Sequence, residues 1–285
     1  MDEPPPLVGS LAPRRLTRLR LHRRDSIGTA YHVLTFEGVP ATDGAALAAR
    51  AGQFAMVRSA AWGHAPLLPR PMSLLTAGDR PSILIKVVGE GTRRLAHASS
   101  GEPFDLLAPL GLPWRPCPPS HRPVLVAGGV GVAPLLFLAR ELASGKGSAG
   151  QRPLALYGAR SAGDLPLDFE LASVAELRIA TEDGSRGAPG RVTVLLERAL
   201  DELAAAGQAA KIYTCGPDAM MAAVATLAAA RGVLCEVSLE TPMACGYGVC
   251  LGCPVPRAGG KGFLYACTEG PCVDAVSIDW SKSHR

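Results

Sequence analysis

No stretch of this 285-residue chain reaches the roughly twenty consecutive apolar residues that a membrane-crossing helix needs. The opening MDEPPPLVGSLAPRR holds no apolar signal core, so a reduced, cytoplasmic setting is expected and disulfides are not. There is no internal repeat and no motif that reads RNA or DNA. The six histidines, among them His64, His97 and His121, are isolated, and no Ser-His-Asp or metal-hydrolase constellation accompanies them. A large charge excess is missing too, the net value being +4. The densest basic stretch, Arg14 to Arg24, reads as a solvated strand face or a partner surface rather than a nucleic-acid patch. These absences point away from a membrane span, a nucleic-acid reader and a hydrolase.

What is present is a group of cysteines near the C-terminus. Cys245, Cys250 and Cys253 spell C-x4-C-x2-C, and Cys267 follows after thirteen residues. The first part is the spacing by which plant-type ferredoxins hold a [2Fe–2S] cluster in thiolates. Gly246, Gly248 and Gly252 lie between the cysteines, where backbone must turn sharply and aim N–H groups at sulfur. Zinc is the competing reading, but zinc sites usually show two separated pairs. Three cysteines within nine residues fit a cluster better, so the chain is expected to move single electrons. Cys117, Cys215 and Cys235 are scattered, and Cys235, inside GVLCEVSL, reads as a core residue.

Hydrophobic patterning divides the chain into four segments: a disordered tail over 1–14, a β-barrel over 15–115, an α/β domain over 120–239 and a cysteine module over 240–285. TAYHVLTFEG, QFAMVRS and SILIKVV are short strand-like runs bounded by Gly, Pro and Asp, which predicts a small antiparallel barrel. Beyond residue 120, strand-like HRPVLVAGG, PLALYGAR, ELRIAT, KIYTCGP and VLCEVSL alternate with helix-periodic segments, as in a parallel layered sheet. One of these helices opens with Pro134 in its first turn. The cysteine module looks too small to bury a core of its own, so the cluster is expected to hold it together.

Several loops carry candidate chemistry. Gly128, Gly129 and Gly131 join a strand to a helix, where backbone N–H groups can meet phosphate. The sequence there is not G-x-G-x-x-G, and a purely structural turn reads equally well. Cys215-Gly216-Pro217 ends another strand and should face the same crevice, bordered by TEDGSRGAPG. Cys215 is either part of a ligand pocket or a packing residue. No acidic residue follows the second strand; Arg160 and Ser161 stand there, leaving NADH and NADPH both open. In the barrel, Arg70-Pro71-Met72-Ser73 pairs a phosphate-binding fork with a hydroxyl donor. Gly89-Glu90-Gly91-Thr92 opens a short helix. Turn chemistry alone would explain either loop.

The order of these signals resembles the ferredoxin–NADP reductase superfamily, in which a flavin barrel precedes a nicotinamide domain. SLETPMACGYGVCLGC followed by CTEGPCVDAVSIDW is similar to the electron transfer subunits of B-type, NAD-linked dihydroorotate dehydrogenases, and the likeness spans nearly the whole chain beyond its tail. The resemblance implies FAD held by Arg70, Pro71, Met72, Ser73, Gly91 and Thr92, with Leu84, Ile85 and Lys86 touching it mainly through backbone. It implies NAD at Gly128, Gly129, Gly131 and Gly216, a nicotinamide pocket near Cys215, and Cys245, Cys250, Cys253 and Cys267 as cluster ligands. Ser73 would orient the flavin N5. It further implies a catalytic partner subunit carrying FMN and the dihydroorotate site, in a two-plus-two heterotetramer, so that electrons run from FMN through [2Fe–2S] and FAD to NAD+ in pyrimidine synthesis. Cys272 and Val273 depart from the usual aliphatic and Phe, which makes Cys272 a rival fourth ligand. Met72 stands where many flavin reductases place Tyr, and a thioether also packs on an aromatic face. Alternatives are a reductase subunit of a hydrogenase, sulfur-reducing or transhydrogenase complex, a cluster-bearing sensor, and a zinc-stabilised binding module.

Overall fold

The computed structural model describes residues 12–38, 46–145, 152–260 and 262–282. The expected disordered tail falls, up to residue 11, outside the described residues. The chain opens with β1 (Arg15–Ile27), β2 (Tyr31–Gly38), β3 (Phe54–Ser59), β4 (Arg70–Thr76), β5 (Ser82–Lys86), a short α1 (Glu90–Ala96) and β6 (Pro103–Leu110). The six strands close into an antiparallel barrel in the order β1-β2-β5-β4-β3-β6. The basic stretch belongs to β1, where alternation puts Leu19 and Leu21 in the barrel core and turns Arg18 and Arg20 to solvent. Arg18 pairs with Asp105 of β6 at 2.7 Å on that outer face. Inside, Phe36 meets Phe104 edge to face at 5.4 Å.

A linker leads to β7 (His121–Gly128), α2 (Val132–Ala143), β8 (Leu154–Ala159), α3 (Asp168–Val174), β9 (Glu176–Thr181), β10 (Ala188–Pro189), α4 (Val192–Ala205), β11 (Ala209–Cys215), α5 (Asp218–Ala230) and β12 (Leu234–Ser238). Three short strands follow among the cysteines: β13 (Pro254–Pro256), β14 (Phe263–Tyr265) and β15 (Cys272–Asp274). The large sheet runs β10-β9-β8-β7-β11-β12-β15, parallel except that β15 lies antiparallel on β12. Strands β7, β8 and β11 are buried almost throughout, which explains their continuous apolar runs. Among the described residues no helix is long and apolar enough to cross a membrane.

The joints between these parts are specific. Lys211 of β11 and Glu236 of β12 form a buried ion pair at 2.9 Å. The Lys211 ammonium also donates to the carbonyls of Arg115 and Pro116, and the Arg115 N–H donates to Glu236. Tyr213 donates to the Arg115 carbonyl as well. The pair thereby staples the linker to the sheet, with its donors and acceptors matched.

The cysteine module has a real share of core. Val255, Leu264, Ala266, Val273 and Ile278 are buried with Phe54, Met56 and Leu110 of the barrel and with Val237 of β12. A short segment cannot bury these residues against itself, so it buries them against its two neighbours. Val255, Leu264, Val273 and Ile278 each contribute roughly 1.5–3 kcal/mol on full burial. The module is thus held by packing and by the β12–β15 pairing, beyond what its thiols supply.

Candidate functional site

A cleft of about 470 Å³ opens where the barrel, the α/β domain and the cysteine module meet. Its barrel wall is Pro71, Met72 and Ser73 of β4, Leu84, Ile85 and Lys86 of β5, and Thr92 of α1. Val130 of the loop after β7 and Ala133 of α2 close it from one side, and Leu239 to Met243 with Pro271 close it from the cysteine side. The structure thus brings most of the expected flavin residues to one wall, and the volume suits a cofactor ring. Ser73 lines the cleft and makes no side-chain hydrogen bond among the described residues, leaving its hydroxyl free for the cleft. Arg70 lies against Gly91, where an added methyl would overlap its guanidinium. Within the described residues its only side-chain hydrogen bond is to the Leu68 carbonyl. Thr92 is spent differently: its hydroxyl accepts from the Val88 and Gly89 N–H groups and shapes the start of α1.

Lys86 lines the cleft but sends its ammonium to the α/β domain. Its ammonium pairs with Asp164 at 2.9 Å, and Tyr31 donates to the same carboxylate oxygen at 2.6 Å. Asp164 lies just after β8, so this triad ties the barrel to the α/β domain. Hydrogen bonds from Tyr31 and then Lys86 hold the Asp164 carboxyl below its usual range. Burial, with Asp164 beside it, pushes the Tyr31 phenol up.

The two expected nucleotide loops touch. A methyl on Gly128 would come within 2.7 Å of Met220, and one on Gly216 within 3.0 Å of Gly128 itself. One on Gly131 would overlap the Cys215 carbonyl. Three of the four glycines are therefore demanded by loop-to-loop packing. Gly129 differs: its φ is +53° and nothing crowds its Cα, so its backbone is open to a ligand. Cys215 is fully buried at the end of β11, and its thiol points at Glu240 across 3.8 Å. Burial pushes that thiol well up. Glu240 touches solvent in the open cleft yet is walled by protein. That desolvation, and then Asp218, raise its carboxyl above the ordinary range.

Glu240 was not legible in the sequence, because only the turn after β12 places it beside Cys215. Glu182 was also missed. An acidic residue was sought directly after β8, but Glu182 follows β9, and its N–H donates to the Ala159 carbonyl at the end of β8. The Asp183 N–H donates to the Arg160 carbonyl likewise, so the turn that carries both acidic residues sits against Arg160.

The cysteines converge as two pairs. The Cys253 and Cys267 sulfurs lie 3.2 Å apart, and the Cys250 N–H donates to the Cys245 sulfur at 3.4 Å. Among the described residues no three His, Cys, Asp or Glu side chains close on one point as a single ion requires. Four thiols brought together in this way would suit the ligand set of a two-iron cluster. Burial raises the Cys245 thiol, but the N–H groups of Cys250, Tyr247 and Val249 outweigh it and pull it down to about 6. Cys267 is pushed up to about 12 by burial and by Cys253. Gly246 and Gly248 have φ of +79° and +94°, which lets the loop wrap so tightly. Cys272 stands apart in β15, its thiol directed at the Gly52 carbonyl. The donor set therefore fits a two-iron cluster on Cys245, Cys250, Cys253 and Cys267.

Residues 240–279 match the family described as the iron-sulfur cluster binding domain of dihydroorotate dehydrogenase B, and residues 125–226 match the oxidoreductase NAD-binding domain. The chain is 37% identical over 236 residues to the dihydroorotate dehydrogenase B (NAD(+)) electron transfer subunit of Desulforamulus reducens, covering 80% of this chain and 86% of that one. It is 31% identical to the probable subunit of the same name from Archaeoglobus fulgidus, covering 90% and 94%. Among solved structures, a chain from the NADH-dependent reduced ferredoxin-NADP oxidoreductase superposes with a TM-score of 0.76 at 25% identity, covering 97% and 93%. The flavohem-like FAD/NAD binding domain of nitric oxide dioxygenase from Vibrio cholerae shares the fold, with a TM-score of 0.65 over 80% of this chain and all of that one. With cleft, nucleotide loops and paired cysteines all in place, this chain belongs to the family of electron transfer subunits of dihydroorotate dehydrogenase B.

Proposed function

We propose that this chain carries electrons from the FMN of a dihydroorotate dehydrogenase catalytic subunit, through [2Fe–2S] and FAD, to NAD+, in cytoplasmic pyrimidine (UMP) synthesis. The observation that carries the reading is a module of four paired thiols whose own residues, Glu240 to Met243 and Pro271, wall a flavin-sized cleft. When bound, the cofactors supply the one-electron and hydride chemistry.

The chain's own residues bind and orient. Arg70 would neutralise the FAD pyrophosphate from its seat on Gly91. Ser73 would donate its free hydroxyl to the ring edge at N5, and Met72 would pack on the ring face. Leu84, Ile85 and Lys86 would offer backbone groups while the Lys86 ammonium stays on Asp164. Gly129 would let the dinucleotide approach the opening of α2, with Gly128, Gly131 and Gly216 keeping the two loops in contact. Glu240 would stand beside Cys215 in the cleft wall, its carboxyl raised above the ordinary range by desolvation. Glu182 and Asp183 would repel a 2′-phosphate, which favours NAD over NADP. The partner would dock on the cluster loop, where Tyr247, Val249 and Leu251 are 43%, 72% and 55% exposed around the cysteines. Leu251 holds a φ of +55° there, a costly conformation for a leucine that aims an apolar side chain outward. A two-plus-two heterotetramer is the expected assembly.

The test is to purify the chain with its partner, measure iron, sulfide and flavin, and follow NAD+ reduction. Dihydroorotate-dependent NADH formation, lost when the partner is removed, is expected; a colourless zinc protein or a flavin-free one would refute it. A second reading is favoured by the likeness over nearly the whole chain to a component of a bifurcating ferredoxin-NADP oxidoreductase. Under that reading reduced ferredoxin, and not dihydroorotate, would support NAD+ reduction.

A further inference from the structure

Strand β3 serves two neighbours at once. Ala55 and Val57 enter the barrel core, while Phe54 and Met56 turn the other way and join the apolar cluster of the cysteine module. On its hydrogen-bonded side β3 pairs with the strand of the flavin wall, Met56 opposite Pro71 and Phe54 opposite Ser73. On its outer face Met56 is 2% exposed, and a methyl on Gly246 would come within 2.5 Å of its Cγ and 2.8 Å of its Sδ. Gly246 directly follows the first cluster cysteine. Two further contacts continue the same seam. A methyl on Gly111 would lie 2.8 Å from the Gly270 carbonyl and 2.9 Å from Phe54, and one on Gly52 would lie 2.5 Å from the Cys272 sulfur. The Leu112 N–H donates to the Gly270 carbonyl at 2.6 Å. Phe54 and Pro271 belong both to this seam and to the cleft wall. Cys272 thus has a place: its thiol fills the seam against Gly52.

We infer that Met56 is a positioning residue, wedged between the flavin strand and Gly246 so that it sets how close the cysteine loop sits to the flavin cleft. The inference rests on the proposed reading of cleft and cysteines. In the step it serves, one electron would pass between the cluster and the flavin, each changing oxidation state by one electron with no covalent bond made or broken, and NADH drives that exchange in reverse. Met56 touches neither group. It acts by leaving the loop no room to drop or lift, since packed cores transmit displacement instead of absorbing it.

The experiment uses the full chain loaded with FAD, iron and sulfide. Met56→Ala should leave flavin reduction by NADH unchanged and slow the subsequent cluster reduction severalfold, since electron transfer between two centres weakens steeply as they separate. Met56→Leu, similar in volume, should restore the rate to within about twofold. A second readout needs no cofactor. In the metal-free chain, amides of residues 245–253 should exchange faster in Met56→Ala than in wild type, while those of 121–128 stay protected. Should Met56→Ala not fold, Met56→Val carries the same expectations. Unchanged cluster reduction with unchanged exchange overturns the inference. If the wild type binds no cluster, the functional reading fails and the exchange measurement alone decides: a loop indifferent to Met56 refutes the wedge.

Discussion

At the residue scale, the environment of a side chain assigns its role. Cys267 and Cys272 are five positions apart, yet one faces Cys253 at 3.2 Å and the other is sealed in β15. Cys267→Ser should therefore lose most bound iron, whereas Cys272→Val should keep full iron content and the cluster spectrum. Iron analysis of the two purified variants checks this. Glu240 and Asp164 make opposite pH predictions. The Glu240 carboxyl is raised, so its contribution is fully present below the ordinary glutamate value and is lost as pH rises through the folded value. Glu240→Gln should flatten that fall in unfolding experiments from acid to neutral pH. The Asp164 carboxyl is depressed, so its contribution is present above the ordinary aspartate value and fades as pH falls through the folded one. Asp164→Asn should cost about 1 kcal/mol at neutral pH, its exposure discounting the pair, and the gap from wild type should narrow in acid. Neither carboxylate announced itself in the sequence. Glu240 depends on a turn that brings it under Cys215, and Asp164 on a domain contact with Tyr31.

At the element scale, strand and helix identities were readable because their periods are strong. ELRIAT is β9 residue for residue, and HRPVLVAGG and KIYTCGP are the buried strands β7 and β11. The glycine loops were also legible as loops, though the structure adds a reason the sequence could not carry: Gly131 and Gly216 are needed for the loops to touch. The short β13, β14 and β15 escaped, since three-residue strands among Gly, Pro and Cys carry no period. The acid beside the crevice was sought after the wrong strand. Parallel pairing of β8 with β9, a long-range fact, brings Glu182 to Ala159. The Lys211–Glu236 staple yields a stability prediction at this scale. Lys211→Met strands a buried carboxylate and frees the linker carbonyls, and should cost about 3–5 kcal/mol in denaturant unfolding. Replacing both partners with apolar residues of like volume should recover much of that loss.

At the scale of the whole molecule, the barrel, sheet and cysteine module share contacts that the chain order alone does not disclose. The module was read as a segment waiting for its cluster. In the structure it extends the sheet through β15 and buries Val255, Leu264 and Val273 against both neighbours. Removing iron with a chelator should therefore leave the chain folded, with one cooperative unfolding transition and protease cutting confined to residues 245–253. A segment that depended on iron alone would instead be digested throughout residues 240–282. Electrons should pass between the cleft and the paired cysteines, so hydride from NADH should reduce both by running the proposed relay in reverse. Anaerobic titration of the loaded chain with NADH, followed by its visible spectrum, tests this most directly. Bleaching of the flavin band together with the cluster bands is the predicted result, with NADPH far less effective; a flavin that bleaches while the cluster bands persist would contradict it.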